Sequence, residues 1–181
     1  SNEIFDLPEF PKRLIVVGGG YIASEFASIF NGLGAQVTQL YRSEQILRGF
    51  DQDIRNFLAQ EMSKAGVDIR TNSDVAKLAK TANGIQVTLK DGSTLEVDQV
   101  LYATGRAPNV KGLGLEALNI AQQKNGAIMV DANYRTNVAS VYALGDVTDR
   151  VQLTPVALGE AMVLVDHLFG EGKREMSYDY I

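Results

Sequence analysis

Residues 14–23 constrain the fold more than any other part of the chain. Four apolar residues, typical of a buried strand, precede Gly18, Gly19 and Gly20, and a helical pattern of apolar positions begins after them. With Ala23 the glycines form the pattern G-x-G-x-x-A, in which Gly18 allows a tight turn and Gly20 lets the backbone approach phosphates. This arrangement predicts a turn that places a dinucleotide pyrophosphate at a helix N-terminus.

The residues that follow the glycines predict a βαβ unit. Glycines at positions 32 and 34 suit a helix end, and residues 36–41 have the pattern of a second strand. A lone glycine pattern can also serve only the geometry of a turn, and that alternative stays open at this point. The apolar positions at helical spacing are Ile22, Phe26, Ile29, Phe30 and Leu33.

The residues after the second strand bear on which dinucleotide binds. NAD sites, and FAD sites with the same glycine pattern, carry an acidic residue about 20 positions after the glycines to accept from ribose hydroxyls. Here the strand leads into Arg42, and Arg48 follows shortly afterwards. Guanidinium groups pair bidentately with phosphate, so the two arginines predict NADPH, bound through its 2′-phosphate. Glu44 keeps a ribose-hydroxyl interpretation open, and solvated surface arginines are the other alternative.

The composition excludes several function classes. The 181 residues carry a net charge of −5, which argues against nucleic acid and anionic membranes as partners. The chain has no cysteine and a single histidine, so it has no thiol redox group of its own and we expect no metal site. No segment resembles a signal peptide or a membrane span, and we therefore expect a cytoplasmic protein.

Residues 51–70 continue the alternation of helix and strand. A helix is predicted over residues 51–65, with Asp51 or Asp53 near its start, and a short strand over residues 67–70. This order implies a parallel sheet with right-handed crossovers. The predicted core-facing stripe of the helix consists of Ile54, Phe57, Leu58, Glu61 and Met62.

Residues 76–103 indicate a second type of sheet. Three alternating segments, residues 76–79, 85–89 and 94–97, are separated by Asn-Gly and Asp-Gly dipeptides typical of tight hairpins. They predict an antiparallel meander, after which residues 100–103 resume a buried strand. The predicted fold class is therefore α/β: a Rossmann-like βαβ nucleotide-binding domain with a parallel sheet and an antiparallel β-meander, of the FAD/NAD(P)-binding type.

The last third of the chain is rich in turns, and we place a domain boundary at residue 108. A buried strand is predicted over residues 141–144, ending in Gly145 and Asp146, where Asp146 also suits an Asx-turn or a cap. A helix is predicted from Thr154, acting as its cap, to about residue 169. The predicted core stripe of that helix is Leu158, Ala161, Met162, Val165 and Leu168. No closing element follows, so we expect a piece of something longer.

Five segments in order, GGGYIASEF, YRSEQILRGFD, YATGRAPN, YALGDVT and QLTPVA, resemble the flavin-dependent pyridine nucleotide–disulfide oxidoreductases. The resemblance is closest to the branch that reduces glutathione disulfide, while branches acting on trypanothione, thioredoxin or mercuric ion remain alternatives. It implies an NADPH-binding domain in residues 1–108 and, in residues 109–181, a partial central segment of the FAD-binding region. It also implies a homodimer that passes hydride from NADPH to FAD and on to a redox disulfide outside this chain.

The resemblance also implies roles for individual residues. Tyr21 would cover the flavin and move aside for the nicotinamide, and Glu25 would pair with a lysine beside the flavin, outside this chain. Asp146 would bind the flavin ribityl chain, with Gln152 on the nicotinamide side and Thr154 on the flavin side. The implied NADPH-site residues are Gly18, Gly19, Gly20, Tyr21, Ile22, Glu25, Arg42, Arg48, Gly105 and Arg106.

Simpler interpretations of these residues remain open. Tyr21 also suits a half-exposed aromatic residue at a helix start, and Glu25 suits a carboxylate favoured by the helix dipole. Two other functions are open as well: a stand-alone NADP-binding module without turnover, and a first segment of a flavoprotein whose glycine turn binds FAD itself.

Overall fold

The chain separates into two units between Gly105 and Arg106, in a computed structural model that describes residues 2–179 and 181. The sequence predicts this boundary at residue 108. The strands are β1 (Arg13–Val17), β2 (Gln36–Leu40), β3 (Asp68–Arg70), β4 (Val75–Thr81), β5 (Gly84–Leu89), β6 (Thr94–Val97) and β7 (Gln99–Tyr102). The helices are α1 (Tyr21–Gly32), α2 (Gln52–Lys64) and α3 (Thr154–Phe169), with short 3-10 segments at Asn2–Asp6, Leu115–Leu118 and Gly145–Thr148.

The first unit contains both predicted sheets. Strands β3, β2, β1 and β7 lie side by side in that order, and every pair is parallel. Strands β4, β5 and β6 form an antiparallel meander, whose hairpins use Gly84 (φ +139°) and Gly92 (φ +87°) in backbone conformations that favour glycine. The predicted α/β class, with a parallel sheet and an antiparallel β-meander, is confirmed.

Strand β1 is buried on both of its faces. Leu14 and Val16 pack with residues of α1 and α2, whereas Ile15 and Val17 pack with residues of β5 and β6. Successive side chains of a strand point to opposite faces, so one strand contributes to both hydrophobic clusters. Burying each such side chain contributes roughly 1.5–3 kcal/mol, which makes β1 the centre of the first unit.

Helix α2 begins as predicted but presents a narrower buried face. Asp51 caps it, because its carboxylate accepts from the backbone amides of Asp53 (2.9 Å) and Ile54 (3.4 Å). Met62 is buried and Leu58 packs against the same cluster, one helical turn away. The prediction of a wider stripe was wrong, since Ile54 and Phe57 are more than half exposed.

The second unit is mostly irregular. The predicted strand over residues 141–144 was wrong: its one ladder contact is an isolated bridge between Arg135 and Tyr142. Ala143 is buried in a small cluster with Leu115, Ile120 and Ile128, so this apolar run fills a core without joining a sheet. A short apolar run alone does not distinguish those outcomes.

Helix α3 differs from prediction at its start and in its buried face. Its N-cap is Leu153, and Thr154 is the first helical residue, so the prediction that Thr154 caps the helix was wrong. The buried residues are Val156, Glu160 and Val163. The predicted stripe is largely exposed at Leu158, Met162, Val165 and Leu168. Apolar residues lie on several faces of this helix, and periodicity could not identify the packed one. None of the helices in the described part of the chain has the length and hydrophobicity of a membrane span.

Asp98 lies at the junction between β6 and β7 and is hydrogen-bonded to the start of β1. Its Oδ2 accepts from the backbone amides of Lys12 (2.9 Å) and Arg13 (2.8 Å), and its Oδ1 accepts from Nε (3.1 Å) and Nη2 (2.7 Å) of Arg13. The hydrogen bonds from the Arg13 side chain are the main reason that the pKa of Asp98 lies below its usual value.

Replacing Asp98 by asparagine is expected to lower the free energy of unfolding by about 1 kcal/mol at pH 7, because an amide cannot satisfy all four donors. Since the folded pKa is lowered, the carboxylate stabilises the fold above its unfolded pKa of about 4, and this contribution is lost as pH falls through the folded value. Urea unfolding of both proteins between pH 7 and pH 3 should therefore show a difference that shrinks with acid.

Glu96→Gln is the matched control for Asp98→Asn. It removes a negative charge whose carboxylate lies 4.0 Å from the same Arg13 guanidinium. Such a long, exposed contact contributes little, so this variant should leave stability nearly unchanged. Equal losses in the two variants would contradict the role of Asp98.

Candidate functional site

The carboxyl ends of three neighbouring strands meet at one edge of the parallel sheet. Val17, the last residue of β1, is in register with Leu40 at the end of β2 and with Tyr102 at the end of β7. The amide of Gly18 donates to the Leu40 carbonyl (2.9 Å), and the amide of Ala103 donates to the Val17 carbonyl (2.8 Å). The glycine turn therefore lies where open α/β sheets bind ligands.

The three glycines of the turn have different surroundings. Gly18 has φ +147°, and a Cβ there would overlap the carbonyl oxygen of Ala103, while a Cβ at Gly19 would overlap the ring of Tyr41. Gly20 is exposed, and a Cβ built on it meets no heavy atom within 4 Å. Gly18 and Gly19 thus serve close packing, and Gly20 faces open space.

The first turn of α1 is open to a ligand at its N-terminus. Gly20 is the N-cap, and it supplies no side chain to satisfy the first amides of the helix. Tyr21 is 37% exposed, Ile22 is half-buried and Glu25 is exposed. Tyr21 and Glu25 are four residues apart, so their side chains lie on the same face of the helix.

Both candidate arginines are exposed on the loop between β2 and α2, as is Glu44. Within this loop Ile46 is fully buried, and the amide of Leu47 donates to the carbonyl of Gly19 (2.6 Å). The loop is therefore attached to the glycine turn, and Arg48 directly follows the attachment point. Arg42 lies at the other end of the same loop, immediately after Tyr41.

Sequence reasoning missed Arg55, which holds this loop in place. From α2 its Nε donates to the carbonyl of Ile46 (2.8 Å), and its Nη2 donates to that of Gln45 (2.8 Å). Nothing in the local pattern separates Arg55 from a solvated arginine on a helix surface, because its partners are nine and ten residues away.

A second missed residue, Gln39, supports the glycine turn from β2. It is fully buried, and its Nε2 donates to the Gly18 carbonyl (3.0 Å) and to Oγ of Ser24 (3.3 Å). Its Oε1 has no hydrogen-bond partner among the described residues. The available signal was a glutamine at a position where the sheet core expects an apolar residue.

The charge near Arg42 is partly balanced by an acidic neighbour. Asp74 forms an ion pair with Lys90 (2.5 Å), and this hydrogen-bonded contact is the main cause of the lowered pKa of Asp74. Arg42 contributes a smaller electrostatic effect in the same direction. Asp74 is therefore paired chiefly with Lys90 and only weakly with Arg42.

The remaining candidate residues lie around the unit boundary and in the second unit. Gly105 ends the first unit with φ +148°. In the second unit, Nη2 of Arg106 lies 3.5 Å from Oδ2 of Asp146, and both side chains are exposed. Gln152 donates through Nε2 to Oδ1 of Asp149 (2.6 Å), and Thr154 is exposed in the first turn of α3. No cluster of potential metal ligands occurs in the part of the chain that the structure describes.

Alanine substitutions should separate the packing role of Gly18 from the open position of Gly20. Gly18→Ala is expected to cost roughly 2 kcal/mol or more of unfolding free energy, because it combines a disfavoured φ with a backbone overlap. Gly20→Ala, the matched control, should cost at most about 1 kcal/mol as a poorer N-cap. Urea unfolding measures both, and equal losses would contradict the distinction.

The chain is similar to known proteins over most of its length. The family model described as pyridine nucleotide-disulphide oxidoreductase matches residues 1–161. A glutathione reductase from Burkholderia cepacia is 49% identical over 170 residues, covering 94% of this chain and 38% of that protein. A trypanothione reductase from Trypanosoma congolense is 44% identical over 182 residues, covering 98% of this chain and 37% of that protein.

A solved structure shows the same fold. The HOCl-induced flavoprotein disulfide reductase RclA from Escherichia coli matches with a TM-score of 0.89 and 37% identity, covering 95% of this chain and 39% of that chain. The chain spans about two fifths of the length of each of these relatives. With a family match over most of its length, the chain belongs to the pyridine nucleotide-disulphide oxidoreductases.

Proposed function

We propose that this chain is the NADPH-binding part, with the adjoining central segment, of a flavin-dependent disulfide reductase. The observation that carries the proposal is the open helix start at Gly20, beside a loop that bears Arg42 and Arg48 and is hydrogen-bonded to Gly19. Amides at a helix N-terminus favour a pyrophosphate, and guanidinium groups favour a terminal phosphate.

The donor set fits NADPH better than NADH. The end of β2 is followed by a cation where an NAD site carries a carboxylate. Glu44 is the alternative ribose contact, and it lies between the two arginines on the same exposed loop. Because Arg55 and the Leu47 amide hold the backbone of this loop, little backbone conformational entropy would be lost when the arginines bind phosphate.

Arg42→Ala is expected to weaken NADPH binding by about tenfold or more while leaving NADH nearly unchanged, because only NADPH carries the 2′-phosphate. Arg48→Ala should act in the same direction. Calorimetric titration of each variant with both nucleotides measures this. Arg135→Ala, which removes an arginine paired with Asp131 in the second unit, is the control. Equal losses for NADPH and NADH would contradict the assignment of the 2′-phosphate.

Flavin contacts are assigned residue by residue, in each unit by itself, from the motifs that resemble the family. Asp146, with an exposed carboxylate, offers acceptors for ribityl hydroxyls, and Thr154 lies at an exposed helix start. Tyr21 and Glu25 are proposed to face the flavin and its neighbouring lysine, with Gln152 on the nicotinamide side. Ile22, Gly105 and Arg106 are proposed as further nucleotide contacts.

The proposed reaction reduces a small-molecule disulfide, with glutathione disulfide as the expected substrate. NADPH and FAD together supply hydride and electron transfer, while the chain's own residues bind and orient the cofactors. The names of the glutathione and trypanothione reductase relatives support a disulfide substrate. A homodimeric full-length protein and a cytoplasmic location stay predictions.

The 181-residue chain by itself should bind NADPH and should not turn over. It contains the proposed NADPH residues, only part of the proposed flavin contacts, and no cysteine to pass electrons onward. Equilibrium dialysis with each cofactor, followed by an NADPH-oxidation assay with glutathione disulfide, tests this division. Stoichiometric FAD binding without NADPH binding would mean that the glycine turn binds the flavin instead.

A further inference from the structure

Glu160 stands out as a buried carboxylate that the proposed function leaves without a role. It lies on α3 with 1% of its surface exposed, and no other charged residue is buried in the described part of the chain. Burying a charge is costly unless it is paired and hydrogen-bonded. The partners of Glu160 therefore indicate which part of the fold the buried carboxylate holds in place.

Both oxygens of the Glu160 carboxylate are engaged by groups far away in sequence. Oε2 accepts from the backbone amide of Gly145 (2.6 Å), and Oε1 accepts from the hydroxyl of Tyr178 (2.7 Å). Hydrogen bonds to an ionised acceptor are shorter and stronger than neutral ones. Glu160 thus joins α3 to the Gly145–Thr148 segment and to the C-terminal segment.

Tyr178 is held by a second layer of contacts. Its oxygen accepts from Nη1 of Arg150 (3.1 Å) and lies 3.3 Å from the hydroxyl of Tyr134. Because the single proton of Tyr178 is donated to Glu160, Tyr134 must be the donor in that last contact. Burial and the hydrogen bond with Tyr178 raise the pKa of Tyr134 well above its usual value, so Tyr134 remains a neutral donor.

Arg150 is the exposed member of this network and contacts both tyrosines. Its guanidinium carbon lies 5.2 Å from the ring centre of Tyr134 and 5.8 Å from that of Tyr178, and its Nη2 donates to the carbonyl of Asp131 (2.9 Å). The cation therefore stacks on both rings while bonding to one hydroxyl. Glu160 is consequently the inner end of a connected polar network.

The network acts on a single glycine. Gly145 donates its amide to Glu160, and its carbonyl accepts from Oγ1 of Thr148 (2.8 Å). Its φ of +71° favours glycine, and a Cβ there would lie 3.2 Å from Cβ of Ala157 on α3. Both backbone groups of Gly145 are thus fixed, while the next residue, Asp146, keeps its carboxylate exposed.

We propose that Glu160 is a positioning residue for the flavin side of the site: its buried carboxylate holds the Gly145 amide and thereby sets the direction of Asp146. Tyr178 extends this support to the C-terminal segment. The inference rests on the proposed function in one respect, the assignment of Asp146 to the flavin ribityl chain.

The test measures FAD dissociation constants by flavin fluorescence in the complete polypeptide that contains this chain. Glu160→Ala and Asp146→Asn are each expected to weaken FAD about tenfold or more. The double variant should bind FAD almost as tightly as the single variant with the lower FAD affinity, because Glu160 acts through Asp146. Additive losses, or an unchanged affinity in Glu160→Ala, would overturn the positioning role.

Conservative and control variants separate positioning from general stability. Glu160→Gln keeps an oxygen for the Gly145 amide and should retain most of the FAD affinity. Asp166→Asn is the control on the same helix, since Asp166 accepts from the amides of Lys173 and Arg174 and has no contact with Gly145. If Asp166→Asn, at a similar loss of melting temperature, weakens FAD as much as Glu160→Ala, the proposal is overturned.

If Glu160→Ala does not fold, Tyr178→Phe takes its place in the cycle with Asp146→Asn; it should weaken FAD severalfold, and unchanged affinity would overturn the proposal. If Asp146→Asn leaves FAD affinity unchanged, the flavin contact of the proposed function fails, and this inference fails with it. An unchanged affinity in the Glu160 variant alone leaves the proposed function intact.

Discussion

The burial of β1 on both faces is the constraint on which the first unit depends. Its side chains alternate between a cluster formed with the helices and a cluster formed with the meander, so both layers must assemble around it. Strands β2 and β7 flank it in parallel register, which brings three carboxyl ends to one edge. The glycine turn is the point where this buried strand leaves the core, and its location follows from the packing of the sheet.

The same packing explains why a loop can present cations in a defined place. The loop between β2 and α2 is irregular, yet Ile46 and Leu47 are buried in the core cluster of the helices. Arg55 then binds two carbonyls of the loop from α2. The exposed arginines therefore project from an anchored backbone, which reduces the conformational entropy that binding a phosphate would cost.

Each unit fixes a glycine turn with a buried polar side chain from a neighbouring element. In the first unit, Gln39 donates to the carbonyl of Gly18, and in the second, Glu160 accepts from the amide of Gly145. Glycine lacks a side chain that could hold its own position, and its backbone is the most flexible of any residue. A hydrogen bond from a rigid strand or helix supplies the missing restraint at both turns.

Elements whose signals are local could be predicted from the sequence. The strand and glycine turn at residues 14–20, the cap at Asp51 and the hairpins at Gly84 and Gly92 depend on residues within a few positions of one another. The alternation of strands with helices along the chain also indicated the parallel sheet. The candidate nucleotide residues near Gly20 and Arg42 also follow from short motifs.

Tertiary structure alone decided the features that depend on distant partners. Val141 and Ala143 pack in a small core instead of extending a sheet, and α3 packs through Val156, Glu160 and Val163 although its predicted apolar stripe lies elsewhere. The partners of Glu160 are 15 and 18 residues away, and those of Gln39 are 15 and 21 residues away. Periodicity and propensity describe one element at a time, whereas burial of a polar group is settled by which donors and acceptors the other elements bring to it.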